Sequence, residues 1–331
     1  MFTKDLFETV LIDPVKDGSD RLFVVSGYGT VAMAFHHLQE VLKVSKKIAV
    51  ELIVGMCPQD GISSVNHEAF RKLVGFDYPT RFDCRYLVSA PPVHSKVYSW
   101  QRGGRPSVAF LGSANYTQNA FGVATRGTGV RAQWEALDHC DAHQATAYFM
   151  EVLRRTIECR DPRAADLVAL HRTRIKASRK GVKGETEPRA PVEDLASMER
   201  VLISFLDRNG TLPRRSGLNW GQRPELRREP NQAYIRLDSS VYSSGFFPPR
   251  GMHFSLMTDD GQVIICTRAQ DNGKAIHTPH DNSIIGKYFR KRLGLRDGAT
   301  VAKSDLERYG RTDVAFYKVD DETFFMDFSS G

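Results

Sequence analysis

Arg21-Leu22-Phe23-Val24-Val25-Ser26-Gly27-Tyr28-Gly29-Thr30 is the stretch that decides how the first half of the chain is built. Four consecutive apolar residues between an arginine and a serine read as a short strand buried on both faces, and Gly27-Tyr28-Gly29 turns the chain out of it. Residues 30–44 then carry apolar side chains at helical spacing, and residues 48–54 read as a second apolar strand. Strand, glycine turn, helix and strand in that order make a β-α-β unit, which implies two parallel strands in an α/β sheet. The Gly-x-Gly pattern is read as a tight turn in preference to a phosphate loop.

Further along, residues 67–74 read as helix and residues 82–88, 93–100 and 107–111 as strands, with Gly103-Gly104 turning between the last two. Residues 143–159 are amphipathic and read as a helix that closes a first domain over residues 1–160. Residues 161–192 are expected to be a helical tail running into a linker, because Gly181, Gly184, Pro188 and Pro191 break any long helix. The rest, 193–331, opens with an expected short helix over 195–206. Strand candidates follow at 233–237, 252–256, 262–267, 314–319 and 323–328. Asp259-Asp260-Gly261 is a hairpin turn between two of them. The second domain is therefore expected to be mainly β and barrel-like in size.

At 331 residues and 41% hydrophobic content the chain can bury two cores, and it is not a disordered protein. No apolar run approaches the roughly 20 residues of a membrane span, and the N-terminus carries acids without an apolar stretch, so the expectation is a cytoplasmic protein with no membrane partner. The five cysteines, Cys57, Cys84, Cys140, Cys159 and Cys266, match no zinc spacing and read as buried thiols. The net charge of +7 is modest, but residues 160–183 alone hold 8 basic and 2 acidic side chains. Such a run is a solvated linker or a phosphate-facing one.

Chemistry concentrates at His94-Ser95-Lys96 and Gly112-Ser113-Ala114-Asn115. If residues 93–100 are a strand, His94 and Lys96 share one face, and the next strand ends at Ser113 and Asn115. An imidazole, an ammonium, a hydroxyl and a carboxamide then meet at one sheet edge. A phosphodiester needs these types: a nitrogen nucleophile for phosphorus, and a cation and donors for the non-bridging oxygens. Glu135, with Gln133 as its competitor, is the candidate to orient the histidine.

A His-x-Lys followed sixteen residues later by Gly-Ser-x-Asn resembles the phospholipase D superfamily. The acid that this signature usually carries five residues after the lysine is here Gln101, a departure that suits the nuclease branch. The resemblance implies a mixed sheet flanked by helices and a site made from two motif copies, one histidine attacking and the other protonating the leaving oxygen. It also implies that no metal or other cofactor is used. The chain carries one copy, so the resemblance implies a homodimer through the catalytic domain.

In the second domain, residues 208–228 hold six arginines against one acid. They include Arg214, Arg215, Asn219, Trp220, Gln222 and Arg223, and a second polar segment supplies Gln270, Asp271, Asn272 and Lys274. Arg, Asn and Gln are the side chains that pair bidentately with guanine or adenine edges, so these ten are the candidate contacts to double-stranded DNA. Lys287, Arg290, Lys291, Arg292 and Arg296 form an acid-free run suited to phosphates.

Taken together, the chain resembles the phospholipase D-like restriction endonucleases of the NgoFVII/NgoAVII type. That implies an α/β phospholipase D-like N-terminal domain and a B3-like pseudobarrel that reads a short DNA sequence through two arms, near residues 211–223 and 268–275. It also implies a bacterial, cytoplasmic setting. Some members act with an ATP-dependent helicase-like subunit, and such a partner stays open for this chain. Two rivals remain. A phospholipid hydrolase of the phospholipase D type would leave the arginine-rich arms without a purpose. A DNA-binding regulator with an inactive first domain would leave His94, Lys96, Ser113 and Asn115 without one.

Overall fold

Leu22, Val24 and Val25 are fully buried, and the strand that they form, β1 (Arg21–Ser26), runs through the middle of a seven-stranded sheet. The structure is a computed structural model describing residues 1–126, 133–171, 197–271 and 273–330, and the chain divides into two units, Met1–Glu193 and Asp194–Gly331. In the first unit follow β2 (Ala49–Val54), β3 (Ile62–Ser63), β4 (Phe82–Leu87), β5 (Lys96–Arg102), β6 (Arg105–Gly112), β7 (Leu137–Cys140), β8 (Thr156–Glu158) and β9 (Leu170–His171). The sheet order is β7-β6-β5-β1-β2-β4-β8. β1, β2 and β4 are mutually parallel neighbours, and the outer pairings are antiparallel. The β-α-β reading of residues 21–54 holds, with Thr30 capping the helix Val31–Val44 by accepting from the Met33 N–H at 3.2 Å.

Strand pleating sends alternate side chains to opposite faces. Phe23, Val25, Ile53, Leu87 and Val97 meet Phe149 and Val152 of the helix Ala142–Leu153 on one face. Tyr98 and Trp100 point to the other face, where the Trp100 indole N–H donates to the Val10 carbonyl at 2.7 Å and His37 packs against the indole. Helices therefore cover both faces of a mixed sheet, as a phospholipase D-like domain requires.

Two expectations in this unit are corrected. The helix expected to run to residue 159 stops at Leu153; the Thr156 hydroxyl donates to the Leu153 carbonyl at 2.8 Å, and the chain re-enters the sheet as edge strand β8, burying Ile157. Residues 161–171, read as part of a linker, carry the short helix Ala164–Leu167 and then β9, which pairs with β3. The remainder of the expected linker, 172–196, lies outside the described residues.

The second unit comprises β10 (Arg200–Ser204), β11 (Ile235–Arg236), β12 (His253–Thr258), β13 (Val263–Ala269), β14 (Ala275–His277), β15 (Asp313–Lys318) and β16 (Thr323–Asp327). They form one sheet in the order β10-β15-β16-β12-β13-β14-β11, antiparallel except for β12 with β16, consistent with the expected pseudobarrel. Phe246, Phe247, Phe254, Phe316 and Phe324 pack edge to face through its core. The short helix expected over 195–206 is corrected to β10 across its described strand residues. Its register with β15 turns Ile203 into the core and leaves Leu202 outside, a period-2 pattern that a three-residue apolar run cannot reveal.

The hairpin turn found in the sequence has a second role. Asp259 takes both Arg292 guanidinium nitrogens, at 2.8 and 2.7 Å, and accepts from the Phe328 N–H at 3.0 Å, so it joins the β12–β13 turn, the helix Ser283–Arg292 and the C-terminal segment. The pair is nearly buried, with side-chain exposures of 14% and 10%. Arg292→Ala is expected to destabilise the second unit by about 3–5 kcal/mol, because it strands a buried carboxylate. Urea titration of the full chain measures this, and a loss below about 1 kcal/mol would contradict it.

Candidate active site

His94 is not on a strand, contrary to the expectation, because β5 begins at Lys96. The preceding segment is held by Gly55 instead: the Val93 N–H donates to the Gly55 carbonyl at 3.0 Å, and a Cβ on Gly55 would lie 2.1 Å from the Val93 oxygen. The two functional side chains still converge. The Lys96 ammonium donates to His94 Nε2 at 3.0 Å and to the His94 carbonyl at 2.6 Å. Lys96 is buried at 5% exposure whereas His94 is exposed, so the lysine forms the floor and the imidazole the rim. Burial lowers the Lys96 pKa, an effect that the charge of Glu135 opposes.

Asn115 reaches the same edge from beyond β6. Its Oδ1 accepts from the Tyr28 N–H at 3.2 Å and from the Ser26 hydroxyl at 3.4 Å. Those bonds fix the amide so that, among the described residues, its Nδ2 has no acceptor and remains available to a ligand oxygen. Behind it the Tyr98 hydroxyl donates to the Ala114 carbonyl at 2.7 Å, and the Tyr116 hydroxyl pairs with His37 Nδ1 at 2.7 Å. Asn115 thus stands on a rigid, buried layer.

Glu135 needs correcting. Its carboxylate accepts from the Ser113 hydroxyl, and it makes no hydrogen bond to the His94 imidazole. Ser113 lies just past the end of β6 and points toward residues 135–136, so a carboxylate there meets the hydroxyl first. Gln133, the competitor, lies instead in the group formed by Lys4, Asp5, Phe7 and Arg126. Gln101 sits on the opposite face of the sheet from Lys96, donating to the Thr146 and Ser99 hydroxyls at 2.9 and 3.2 Å. An acid at that position would therefore not face the imidazole–ammonium pair.

The sequence reading missed Gly27-Tyr28-Gly29 as part of the site. A Cβ on Gly27 would lie 2.9 Å from His94 Cδ2, so only glycine lets the imidazole sit over that backbone. The Gly-x-Gly at the end of β1 was the available signal.

The candidate DNA contacts of the second unit divide sharply. Arg214 and Arg215 are exposed, Arg215 in an ion pair with Glu225. Gln270, Asp271 and Lys274 are exposed as well, while Asn272 lies outside the described residues. Arg268 braces this second arm by donating to the Gly273 and Tyr242 carbonyls at 2.8 and 2.7 Å. Asn219 and Gln222 do not fit base recognition. Asn219 is 1% exposed and clips Val301 through both its N–H and carbonyl, at 2.9 and 2.8 Å. Gln222 donates to the Pro230 and Gly298 carbonyls and accepts from Thr300. Trp220 is half-buried, with Arg228 lying 3.9 Å over its ring, and Arg223 is half-buried.

In the downstream basic run, Arg290 is fully buried and donates to four carbonyls, and Arg292 is the structural partner of Asp259. Lys287, Lys291 and Arg296 alone of that run are exposed. No group of three or more His, Cys, Asp or Glu side chains among the described residues is placed to hold a metal ion, and no helix among them is long and apolar enough to cross a membrane.

Residues 4–163 match the family description of the NgoFVII restriction endonuclease N-terminal PLD domain, and residues 194–320 that of the NgoFVII C-terminal B3-like DNA-binding domain. Among solved structures, NucT from Helicobacter pylori is 17% identical, with a TM-score of 0.33, covering 47% of this chain and 96% of its own. A hypothetical protein of Arabidopsis thaliana is 12% identical, with a TM-score of 0.22, covering 41% of this chain and 94% of its own. None of the curated proteins matches.

Proposed function

Because the chain belongs to the NgoFVII restriction-endonuclease family, a PLD domain at 4–163 followed by a B3-like DNA-binding domain at 194–320, we propose that it is a type II-like, sequence-specific endonuclease of the bacterial cytoplasm cutting DNA through a phosphohistidine at His94. The observation that carries this is the single edge at which the His94 imidazole, the Lys96 ammonium and the free Asn115 amide converge.

An ammonium has only donors, so the His94 Nε2 that faces it offers a lone pair. A scissile phosphate entering the site takes the Lys96 and Asn115 hydrogen bonds onto its non-bridging oxygens. That frees Nε2 to attack phosphorus. The P–N bond forms as the bond to the leaving nucleotide oxygen breaks, and that oxygen takes a proton from a second imidazole. Water then attacks the phosphohistidine, the second imidazole takes its proton, and His94 is restored. With one His-x-Lys in the chain, His94 of the partner subunit supplies the second imidazole, so we propose a homodimer through the catalytic domain. Lys96 and Asn115 neutralise and hold the developing charge, a donor set suited to cleavage without a metal, while the Ser113 hydroxyl is spent on Glu135. Recognition falls to the exposed arm residues Arg214, Arg215, Gln270 and Lys274, with Lys287, Lys291 and Arg296 toward phosphates.

The test is cleavage of supercoiled plasmid in EDTA beside phosphatidylcholine vesicles in the same buffer. The expected result is DNA cut at a recurring position and no choline released. Strict dependence on a divalent cation, or choline release without DNA cleavage, would overturn the proposal.

A further inference from the structure

Tyr28 sits in the Gly27-Tyr28-Gly29 turn after β1, and the proposed chemistry assigns its side chain no role. It stands at the rim of the site with 41% exposure, and its ring meets the His94 imidazole edge to face, with centroids 6.0 Å apart at 80°. Its phenol donates to the Asp60 carboxylate at 2.5 Å, and its own N–H holds Asn115 Oδ1 at 3.2 Å. Asp60 is itself held: its carbonyl bonds to His171 of β9. His94 has little else to fix its plane. Among the described residues, the groups that bear on it are the Lys96 ammonium at Nε2, the Gly27 backbone close to Cδ2 and the Tyr28 ring beside it. A lysine on a flexible stem sets a distance, whereas a ring wedged between glycine backbone and an anchored aromatic acquires an orientation.

We propose that Tyr28, anchored by Asp60, is a positioning residue that sets the plane of the His94 imidazole for in-line attack on phosphorus. The inference rests on the nuclease reading for its catalytic consequence and on geometry alone for the placement of the ring. The Asp60 hydrogen bond raises the phenol pKa, so the phenol stays a donor through neutral pH. The ring supplies the wall and the hydroxyl its anchor, so the two contributions separate by substitution. Misplacing a reacting group by about 1 Å costs up to roughly 100-fold in rate.

The experiment compares Tyr28→Leu, Tyr28→Phe and Asp60→Ala in single-turnover cleavage, together with the NMR titration of the His94 ring proton, assigned by its loss in His94→Ala. Tyr28→Leu is expected to lower kcat by about 10- to 100-fold with KM for DNA within about twofold. It should also displace the His94 ring-proton shift and the midpoint of its titration. Tyr28→Phe, which keeps the ring, should recover most of kcat and a near-native shift, with Asp60→Ala between the two. A His94 shift and titration midpoint unchanged by Tyr28→Leu would overturn the inference, with or without cleavage. So would a kcat for that variant within twofold of wild type. A wild-type protein that cuts no DNA would overturn the nuclease reading alone, and the NMR comparison would then decide the placement of His94.

Discussion

Alanine at His94 is expected to abolish DNA cleavage, by about 10⁴-fold or more, while leaving DNA affinity within about twofold. The asymmetry follows from the architecture. His94 supplies the attacking nitrogen in the unit Met1–Glu193, while the exposed recognition candidates belong to the unit Asp194–Gly331. Loss of a nucleophile removes the covalent route entirely, and Lys96 and Asn115 can then only hold the phosphate. Rates of plasmid conversion and fluorescence anisotropy on the same preparations measure the two quantities. A companion measurement is sharper: wild-type protein quenched in alkali should carry labelled DNA on an acid-labile P–N bond, and the variant should carry none. Cleavage by His94→Ala at more than about 1% of the wild-type rate would remove this residue from the nucleophile's role.

The first unit is also expected to lose about 5 kcal/mol of stability between pH 6.5 and 4.5 through two adjacent histidines. His36 and His37 lie on the buried side of the helix Val31–Val44, at 6% and 0% exposure. Burial pushes their pKa values down to about 4 and about 3, with the His37 ring held between the Tyr116 hydroxyl and the Leu11 carbonyl. The folded values lie below the ordinary 6.5, so the unfolded chain binds more protons in between. This contribution to stability is therefore complete above about pH 6.5. It falls as pH drops, at up to about 1.4 kcal/mol per unit for each ring, until the folded values are reached. In a unit of this size the loss corresponds to a fall in Tm of about 10–20 °C. Calorimetry of the full chain between those pH values checks it, and a first-unit transition that moves by less than about 3 °C would show that both rings are hydrated in solution. Because His37 supports Tyr116, behind Asn115, acid should cost the site its geometry along with its stability.

Much of the fold could be read because its signals are local. The β-α-β unit from Arg21 to Val54 announces itself by a continuous apolar run, a glycine turn and helical spacing, and all three depend on neighbours within a few residues. The Asp259-Asp260-Gly261 hairpin is legible for the same reason. β8 and β10 are not legible in the sequence, because a short edge strand and a helix end share composition. What separates them is a ladder partner distant in sequence: β4 for β8, where Leu87 pairs with Thr156 and the Arg85 side chain donates to the Thr156 hydroxyl across 71 residues, and β15 for β10.

Basic residues show the limit most clearly. Arg290 and Lys287 lie three residues apart on one helix and carry the same sign, yet one is sealed among four carbonyls and the other is exposed. Asn219 and Gln222 have the chemistry of base recognition and use it up on the carbonyls and amides of their own unit. A side chain's hydrogen-bonding capacity is written in the sequence, but whether the protein itself consumes that capacity is not.

The sequence alone determined the chemical types and their spacing: one His-x-Lys, one Gly-Ser-x-Asn, the parallel core of the first sheet and the arginine-rich second half. Residue identity and local periodicity are properties of the chain, and they survive without coordinates. Only the tertiary structure decided that Lys96 lies beneath His94 and that Glu135 meets Ser113. It alone placed Gln101 on the far face and brought Tyr28 and Asp60 beside the imidazole. Those relations depend on which distant backbone approaches which, and close packing around Gly27 and Gly55 settles that at distances no spacing rule contains.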